Sequence, residues 1–312
     1  MCPAFVRFPG GCFVEGQYEN GKTNRFEWKK TIGPIEERPG HRNVNWNYNV
    51  SDGLGFHELL QLTEDLGAEP LFVVNMGMGH GWAEPYYQIE EYIDEAIDAI
   101  EYCNGDVNTE WGAKRAANGH PEPFNMRLIE IGNENYNYSS ENNNDQSDHY
   151  ADRYIQFYNA IKAKYPEMVI IGNVEAWSTD NPSWRNPHPV DIVDEHYYRN
   201  PTWFTSQYEK YNNYDRSLPK VYVGEYAVTS DFGNTGHLRA ALGEAIFMLG
   251  MENNSDVCVM NCYAPIFVNE NDQKWKPDMI RFNSSESYGT PISTRRLQHR
   301  AGQLLGRRAR GG

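Results

Sequence analysis

Two glutamates, Glu134 and Glu225, occupy similar places in two separate stretches of the chain. Glu134 closes the run Arg-Leu-Ile-Glu-Ile-Gly-Asn-Glu, and Glu225 follows the run Lys-Val-Tyr-Val-Gly. Aliphatic and β-branched residues favour a buried strand, and the glycine beside each glutamate favours a tight turn. In an α/β barrel the catalytic groups lie just past the carboxyl ends of the strands. We therefore predict that both carboxylates are catalytic.

Two carboxyl groups at the mouth of a barrel are typical of a retaining glycosidase. That reaction needs one protonated acid and one ionised nucleophile about 5–5.5 Å apart. If the first visible strand is the second of a barrel, Glu134 follows strand 4, Glu225 follows strand 7, and both aim at one point. The amide of Asn133 is predicted to hydrogen-bond a sugar hydroxyl next to the reacting carbon. For either glutamate alone, the alternative is a solvated loop charge.

His196 and Arg7 carry groups that can support a nucleophile. His196 and Tyr198 close the strand before that of Glu225 and add an imidazole and a phenol to the same face. His196 is predicted to hold the nucleophile by a hydrogen bond or to tune its pKa, with a structural role as the alternative. Arg7 is predicted to neutralise a carboxylate and so keep Glu225 ionised.

Other residues compete for these roles. Glu195 is a rival carboxylate, and so is Glu130, although Glu130 falls inside its strand and suits an ion pair or a helix cap better. Tryptophans in predicted loops are candidate platforms for stacking a sugar, with packing as the alternative for each of them; they are Trp28, Trp177, Trp184 and Trp203.

Short apolar runs alternate with helical patterns along the chain, which predicts an α/β fold with a parallel sheet. Helices are predicted over residues 56–66, 89–100, 150–161 and 238–251, from apolar stripes at helical spacing. Strands are predicted over residues 4–8, 70–75, 127–131, 168–173, 189–195, 220–224 and 256–263. Because a closed (β/α)8 TIM barrel needs one strand more, we expect a barrel that lacks its first strand. A sheet with two open edges invites association, so a homo-oligomer is also expected.

Two polar stretches lack any periodicity, residues 10–49 and 135–148. Irregular segments of this length inside a domain are usually functional or disordered. The first contains Trp28, Trp46 and many asparagines, which favours a binding loop. The second directly follows Glu134.

Composition excludes several classes of partner. The net charge of −15 argues against nucleic acid and against an anionic membrane, and no apolar run is long enough for a membrane span. Neutral, hydroxyl-rich sugars are not repelled by such a charge. Cysteines are scattered, without zinc spacing, and are predicted to be buried free thiols: Cys2, Cys12, Cys103, Cys258 and Cys262.

At these residues the sequence resembles glycoside hydrolase family 51, the α-L-arabinofuranosidases. The resemblance extends over nearly all of residues 4–291. The matching pieces are Arg7-Phe-Pro-Gly-Gly11, Trp28 with Ile32-Gly-Pro34 and Arg38-Pro39, Ile131-Gly-Asn-Glu134, His196-Tyr-Tyr198, Gly224-Glu-Tyr-Ala227 and Ala264-Pro265.

The resemblance implies a role for each matching residue. Glu134 corresponds to the general acid/base and Glu225 to the nucleophile. Asn133 corresponds to the contact with the furanose 2-hydroxyl, and Arg7 and Tyr198 to groups that support the nucleophile and the bound sugar. The family releases terminal α-L-arabinofuranosyl residues from arabinan and arabinoxylan, without a metal or cofactor.

The sequence also departs from the family pattern. Cys12 stands where many members have an asparagine that contacts the sugar. Neither the family's first barrel strand nor its accessory β-sandwich is visible. We therefore expect residues 1–291 to be an incomplete catalytic barrel. The arginine-rich residues 292–312 are expected to be a disordered or foreign tail.

Two other functions stay open. An Asn-Glu pair after strand 4 and a glutamate after strand 7 mark a whole clan of retaining barrels, so an endoglucanase or a xylanase is an alternative. An inactive, truncated carbohydrate-binding remnant is the other. An enzyme that degrades a polymer is expected in a secreted or periplasmic location, although no export signal is visible.

Overall fold

The computed structural model describes residues 3–20, 22–79, 82–85, 87–135, 146–175, 189–231 and 235–293. The chain divides into two units. The first unit consists of residues 1–176 and 180–193, and the second of residues 177–179 and 194–312.

Four parallel strands form the main sheet of the first unit, in the order β1-β2-β3-β4. Every residue of β3 is buried, and so is β2 from Pro70 to Val74. Strands covered on both faces read as continuous hydrophobic runs, which is why the sequence pattern located them. The strands are β1 (Phe5–Phe8), β2 (Glu69–Val74), β3 (Leu128–Ile131) and β4 (Val169–Glu175).

The helices of the first unit pack one apolar face inward. In α3 the buried Tyr92, Ala96 and Ile100 recur at helical spacing. Helix α4, which the sequence did not predict, begins after Thr109, whose Oγ1 accepts a hydrogen bond from the backbone N–H of Gly112 at 3.1 Å. The helices are α1 (Gly11–Glu15), α2 (Phe56–Asp65), α3 (Glu90–Asn104), α4 (Glu110–Ala117) and α5 (Gln146–Lys164).

Residues 10–49 are not one irregular loop, so that expectation is wrong. They hold α1, two antiparallel hairpins and two 3₁₀ turns, and most of these elements are too short to produce a visible period. The hairpins pair Gln17–Glu19 with Lys22–Asn24 and His41–Asn43 with Tyr48–Val50; the 3₁₀ turns are Trp28–Thr31 and Ile35–Glu37. A third hairpin, after β2, pairs Met78–Gly79 with Trp82–Ala83.

Three strands form the main sheet of the second unit, in the order β5-β6-β7. They are β5 (Ile192–Arg199, whose first two residues belong to the first unit), β6 (Lys220–Val228) and β7 (Cys258–Asn261). A smaller sheet combines Phe267–Asn269, Ile280–Phe282 and Ser287–Gly289. The helices are α6 (Pro201–Ser206) and α7 (Leu238–Asn253).

All seven predicted strands are present among the described residues, but three of them, β4, β5 and β6, extend beyond their predicted carboxyl ends. Strand β6 continues to Val228, so Glu225 lies inside the strand, and the prediction that it follows the strand is wrong. Strand β5 continues to Arg199 and likewise includes His196 and Tyr198. Past the predicted ends β5 stays buried to Tyr197 and β6 to Val228, and burial on both faces allows a strand to continue.

Some expectations lie outside the described residues. They concern Trp177, Trp184, residues 136–145 and the arginine-rich tail from residue 294 onward. Within the described part of the chain, no helix has the length and apolar character needed to cross a membrane.

Candidate active site

Glu134 lies on a tight turn that follows β3. Gly132 has φ 75° and Glu134 has φ 54°, both in the left-handed region that side chains other than glycine rarely adopt. A side chain at Gly132 is excluded, because a Cβ there would lie 2.0 Å from Oδ1 of Asn135. The turn therefore aims Glu134 differently from a residue that continues the strand, and Glu134 is only 4% exposed.

Side chains from the neighbouring strand and helix hold this turn. Oδ1 of Asn173, in β4, accepts a hydrogen bond from the backbone N–H of Asn135 at 3.2 Å, and its Nδ2 donates to Oδ1 of Asn135 at 2.9 Å. The hydroxyl of Tyr150, in α5, donates to the carbonyl of Ile131 at 2.9 Å and accepts from the backbone N–H of Asn173 at 2.7 Å. The turn is thus fixed at both ends.

Arg7, in β1, forms a buried ion pair with Glu130 of β3. Its Nε and Nη2 donate to the two carboxylate oxygens of Glu130 at 2.7 and 2.8 Å. The ion-pair role predicted for Glu130 is confirmed. Nη2 also donates to Oδ1 of Asn133 at 2.8 Å, which fixes the orientation of that amide. The contact predicted between Arg7 and Glu225 stays a prediction.

The two polar atoms of the Asn133 side chain differ in their contacts. Asn133 is fully buried, and its Nδ2 has no hydrogen-bond partner among the described residues. A buried donor without a partner is costly, and a water molecule or a ligand group can complete it.

In the second unit, Glu225 is surrounded by side chains from β5. The hydroxyl of Tyr198 donates to Oε2 of Glu225 at 2.5 Å. Nδ1 of His196 lies 3.8 Å from the same oxygen, within ion-pair range but too far for a good hydrogen bond. Nε2 of His196 lies 2.7 Å from Oδ2 of Asp194, and Oδ1 of Asp194 accepts from the backbone N–H of Gly224 at 2.6 Å. Glu225 is 8% exposed.

The sequence analysis did not assign roles to two neighbours of this group. Asp194 lies two residues before His196, and alternation along a strand places both on one face, so that signal was available. Trp275 packs edge-on against Tyr198, with ring centroids 5.4 Å apart. It comes from an irregular segment, and nothing in the sequence pattern connects it with β5.

Within each unit, the described residues contain no group of three His, Cys, Asp or Glu side chains placed to share an ion. The expectation that no cofactor is needed stays a prediction.

A sequence model of one family, described as the alpha-L-arabinofuranosidase 1 domain, matches residues 1–216 of the chain. The chain belongs to the α-L-arabinofuranosidases of glycoside hydrolase family 51. The resemblance found in the sequence is confirmed. A second model, the alpha-L-arabinofuranosidase C-terminal domain, matches residues 224–293, so the boundary between the two matches falls just before Glu225.

Relatives in the arabinofuranosidase family align along nearly the whole chain. It is 45% identical to alpha-L-arabinofuranosidase 1 of Arabidopsis thaliana over 289 residues, covering 93% of this chain and 40% of the relative. It is 39% identical to the extracellular exo-alpha-L-arabinofuranosidase of Streptomyces chartreusis over 305 residues, covering 92% and 35%. The arabinose-bound structure of the arabinofuranosidase MgGH51 matches with a TM-score of 0.83 at 33% identity, covering 95% and 47%. The chain therefore spans less than half the length of these relatives.

The fold is a TIM-barrel-like α/β fold, as the parallel strands and the structural match indicate. The alpha-L-arabinofuranosidase of Thermotoga maritima, in an arabinose complex, matches at 21% identity with a TM-score of 0.70, over 93% of this chain and 59% of that one, and supports the fold alone. The missing first strand, the accessory sandwich and the domain bounds 1–291 and 292–312 stay predictions.

Trp28 is not a sugar platform, and that prediction is wrong. Its ring is 2% exposed and packs against Phe56 and Trp111, with ring centroids 4.9 Å away in each case. Its Nε1 donates to the carbonyl of Glu95 at 3.1 Å. A ring with both faces and its polar atom engaged in the core has no surface for a ligand.

Trp203 is half-buried, and its ring lies 5.2 Å from Tyr197 and 5.1 Å from Phe204 between centroids, so the packing alternative is confirmed. Cys12 lies in α1 and is a half-buried free thiol, and its carbonyl accepts from Nδ2 of Asn45 at 2.6 Å. Whether Cys12 contacts a sugar stays a prediction.

Glu195 is a structural carboxylate. It is fully buried and accepts hydrogen bonds from the hydroxyls of Tyr197, Tyr211 and Tyr214 at 2.8, 3.0 and 3.2 Å. Burial raises the pKa of Glu195, although the ammonium of Lys210 and the tyrosine hydroxyls act in the opposite direction. Its oxygens are occupied, and it is therefore no rival to Glu134 or Glu225.

Proposed function

We propose that the protein removes terminal α-L-arabinofuranosyl residues from arabinan or arabinoxylan, with retention of configuration. Glu134 is the general acid/base and Glu225 the nucleophile. The observation that carries the proposal is the surroundings of Glu225: a buried carboxylate that accepts the hydroxyl of Tyr198 at 2.5 Å, in a chain of the arabinofuranosidase family.

The proposed reaction takes place in two displacements. In the first, Glu225 attacks the anomeric carbon while Glu134 donates its proton to the departing glycosidic oxygen, and a covalent glycosyl-enzyme forms. In the second, Glu134 removes a proton from water, and the oxygen of that water displaces Glu225 from the anomeric carbon. The geometry that this chemistry requires is a separation of about 5–5.5 Å between the two carboxyl groups.

Asn133 is proposed to bind the substrate. Its Oδ1 is occupied by Arg7, whereas its Nδ2 is buried and has no partner among the described residues. We assign this N–H group to the 2-hydroxyl of the furanose. A hydrogen bond at that hydroxyl strengthens as charge develops in the transition state.

The proposed substrate agrees with what the relatives are named for. The match from Streptomyces chartreusis is an extracellular exo-alpha-L-arabinofuranosidase, and the MgGH51 structure holds arabinose. On the same basis we propose a secreted location and a carbohydrate as the binding partner. The second candidate, which the sequence analysis left open, is an inactive carbohydrate-binding remnant.

Turnover of 4-nitrophenyl glycosides separates these functions. The purified chain is assayed on the α-L-arabinofuranoside, the β-cellobioside and the β-xyloside, with Glu225→Ala as the control. We expect hydrolysis of the arabinofuranoside alone. Hydrolysis of the cellobioside or xyloside alone contradicts the proposed specificity, and turnover equal to that of Glu225→Ala identifies the remnant.

Azide rescue tests the assignment of the two glutamates. In Glu134→Ala, azide is expected to attack the glycosyl-enzyme and release an α-arabinofuranosyl azide, because two inversions restore the original configuration. If Glu134 were the nucleophile, the product would be the β-azide. The configuration of the product therefore decides which carboxylate carries the sugar.

A further inference from the structure

Glu15 is a buried carboxylate that the reaction described above does not use. It is the last residue of α1, it is fully buried, and both of its oxygens accept hydrogen bonds from the turn after β3. Oε1 accepts from the backbone N–H of Asn133 at 2.6 Å, and Oε2 accepts from Nδ2 of Asn135 at 3.0 Å. These two residues are the immediate neighbours of Glu134.

The backbone of Glu15 is itself held in place. Nδ2 of Asn75, which follows β2, donates to the carbonyls of Val14 and Glu15 at 3.1 and 3.3 Å. Gly79 passes so close that a Cβ there would lie 2.3 Å from the carbonyl oxygen of Glu15. A carboxylate anchored in this way gives the turn a fixed point outside its own strand.

We propose that Glu15 is a positioning residue for the acid/base: it holds Glu134 in its left-handed backbone conformation and so fixes the direction of the Glu134 carboxyl. This inference rests on the function proposed for Glu134. A glutamate at φ 54° is held by its surroundings rather than by its own preference. With the hydrogen bonds from Asn133 and Asn135 to Glu15 removed, the turn keeps only its contacts with Asn173 and Tyr150, and we expect it to relax toward a backbone conformation that aims the side chain elsewhere.

The environment of Glu15 explains why a carboxyl group suits this place. Two donors converge on it, and a carboxyl group offers an acceptor to each, whereas an amide offers only one oxygen. Burial raises the pKa of Glu15 well above its usual value, and the nearby charges of Glu134 and Glu130 act in the same direction. The two hydrogen bonds oppose that rise.

A positioning role differs from a merely structural one in how the rate depends on the leaving group. An aryl leaving group such as 4-nitrophenolate departs with little help from an acid, whereas an alkoxide needs its proton. Misdirection of Glu134 therefore slows substrates with poor leaving groups more than those with good ones. A general loss of folded protein slows all of them equally.

The test uses Glu15→Gln and Glu15→Ala, assayed on 4-nitrophenyl, phenyl and methyl α-L-arabinofuranosides. The matched control is Asn104→Ala. The side chain of Asn104 also makes two hydrogen bonds, both with the backbone of Met126, at the opposite end of β3 from Glu134. Thermal unfolding of each variant establishes that it is folded.

For Glu15→Ala we expect the loss in kcat/KM on the methyl glycoside to be larger than the loss on the 4-nitrophenyl glycoside by a factor of about ten or more. Glu15→Gln, which keeps one acceptor, is expected to lose less. The alkaline limb of the pH profile of kcat/KM reports the pKa of the catalytic acid. We expect the midpoint of this limb to shift in Glu15→Ala and to stay unchanged in Asn104→Ala. An equal loss on all three substrates with an unchanged alkaline limb overturns the proposal.

A crystal structure of Glu15→Ala tests the role of Glu15 independently of the proposed function, because the backbone φ at Glu134 can be measured without any activity. If the unsubstituted protein hydrolyses no arabinofuranoside, the proposed function fails, and the backbone at Glu134 decides the question about Glu15. A φ that leaves the left-handed region supports the positioning role. A φ that stays near 54° contradicts it, whatever the activity.

Discussion

The hydroxyl of Tyr198 and Oε2 of Glu225 lie 2.5 Å apart, with the phenol donating to the carboxylate. Hydrogen bonds to an ionised acceptor are shorter and stronger than neutral ones. The bond restricts the side-chain torsions of Glu225. This restriction suits the nucleophile proposed above, which has to attack along one direction.

Tyr198→Phe removes this hydrogen bond and keeps the ring. A bond to a charged group is worth about 1.5–3 kcal/mol, so kcat/KM on 4-nitrophenyl α-L-arabinofuranoside should fall about 10- to 100-fold. Tyr208→Phe is the control, because the hydroxyl of Tyr208 accepts from Asn253 at an exposed position. Equal kcat/KM values for the two variants would show that Tyr198 does not support Glu225.

Trp28→Ala should destabilise the protein rather than weaken sugar binding. Removal of a buried tryptophan costs about 3–5 kcal/mol of the free energy of unfolding. Trp28→Phe, which keeps a ring against Phe56 and Trp111 but loses the hydrogen bond to Glu95, should lose less. Urea unfolding and KM are measured for both variants. A raised KM with unchanged stability would restore the platform role for Trp28.

Arg7→Ala leaves the carboxylate of Glu130 buried without its partner. We expect a loss of about 3–5 kcal/mol in the free energy of unfolding. The pair formed by Arg127 and Glu69 has the same two-bond geometry, at 2.8 Å for each bond, but the Arg127 side chain is 70% exposed. Arg127→Ala should therefore cost at most about 1 kcal/mol. Similar losses for the two variants would mean that burial of the Arg7 pair has no energetic consequence.

Glu195 should make the protein less stable as the pH rises. Its pKa is raised in the folded state, so the folded protein binds more protons than the unfolded chain at pH values above the unfolded pKa near 4.5. In that window, up to the folded pKa, the free energy of unfolding falls with rising pH by up to about 1.4 kcal/mol per pH unit.

Glu195→Gln removes the titrating group and should flatten this part of the stability curve. The amide oxygen still accepts from tyrosine hydroxyls, so the variant is expected to fold. Urea unfolding at half-unit steps from pH 4 to 8 gives the two curves. Parallel curves would mean that Glu195 does not titrate in this range.

The sequence located the strands because burial on both faces leaves an uninterrupted apolar run, as in β2 and β3. It located the turn at Glu134 because Gly132 marks a position that no side chain can occupy. It failed at the end of β6, where the run Tyr226-Ala-Val228 is as apolar as the strand before it. The glycine at position 224 was mistaken for a stop.

Contacts between distant parts of the chain were beyond the sequence pattern. Arg7 was expected to pair with a carboxylate, but only the alignment of β1, β2 and β3 makes Glu130 that carboxylate. Trp28 sits in a polar stretch, and its partners Phe56 and Trp111 come from other elements. Glu15 was missed because α1 is a single short turn of helix without a period.

Gly224 has a consequence for protein engineering. A Cβ at this position would lie 2.3 and 2.4 Å from the two oxygens of Asp194, the carboxylate that contacts His196. Every other amino acid would displace that carboxylate. In a library with all residues of β6 randomised and selected for arabinose release, glycine should be the residue recovered at position 224. Directed evolution of this strand should therefore keep glycine at position 224 and vary the other residues.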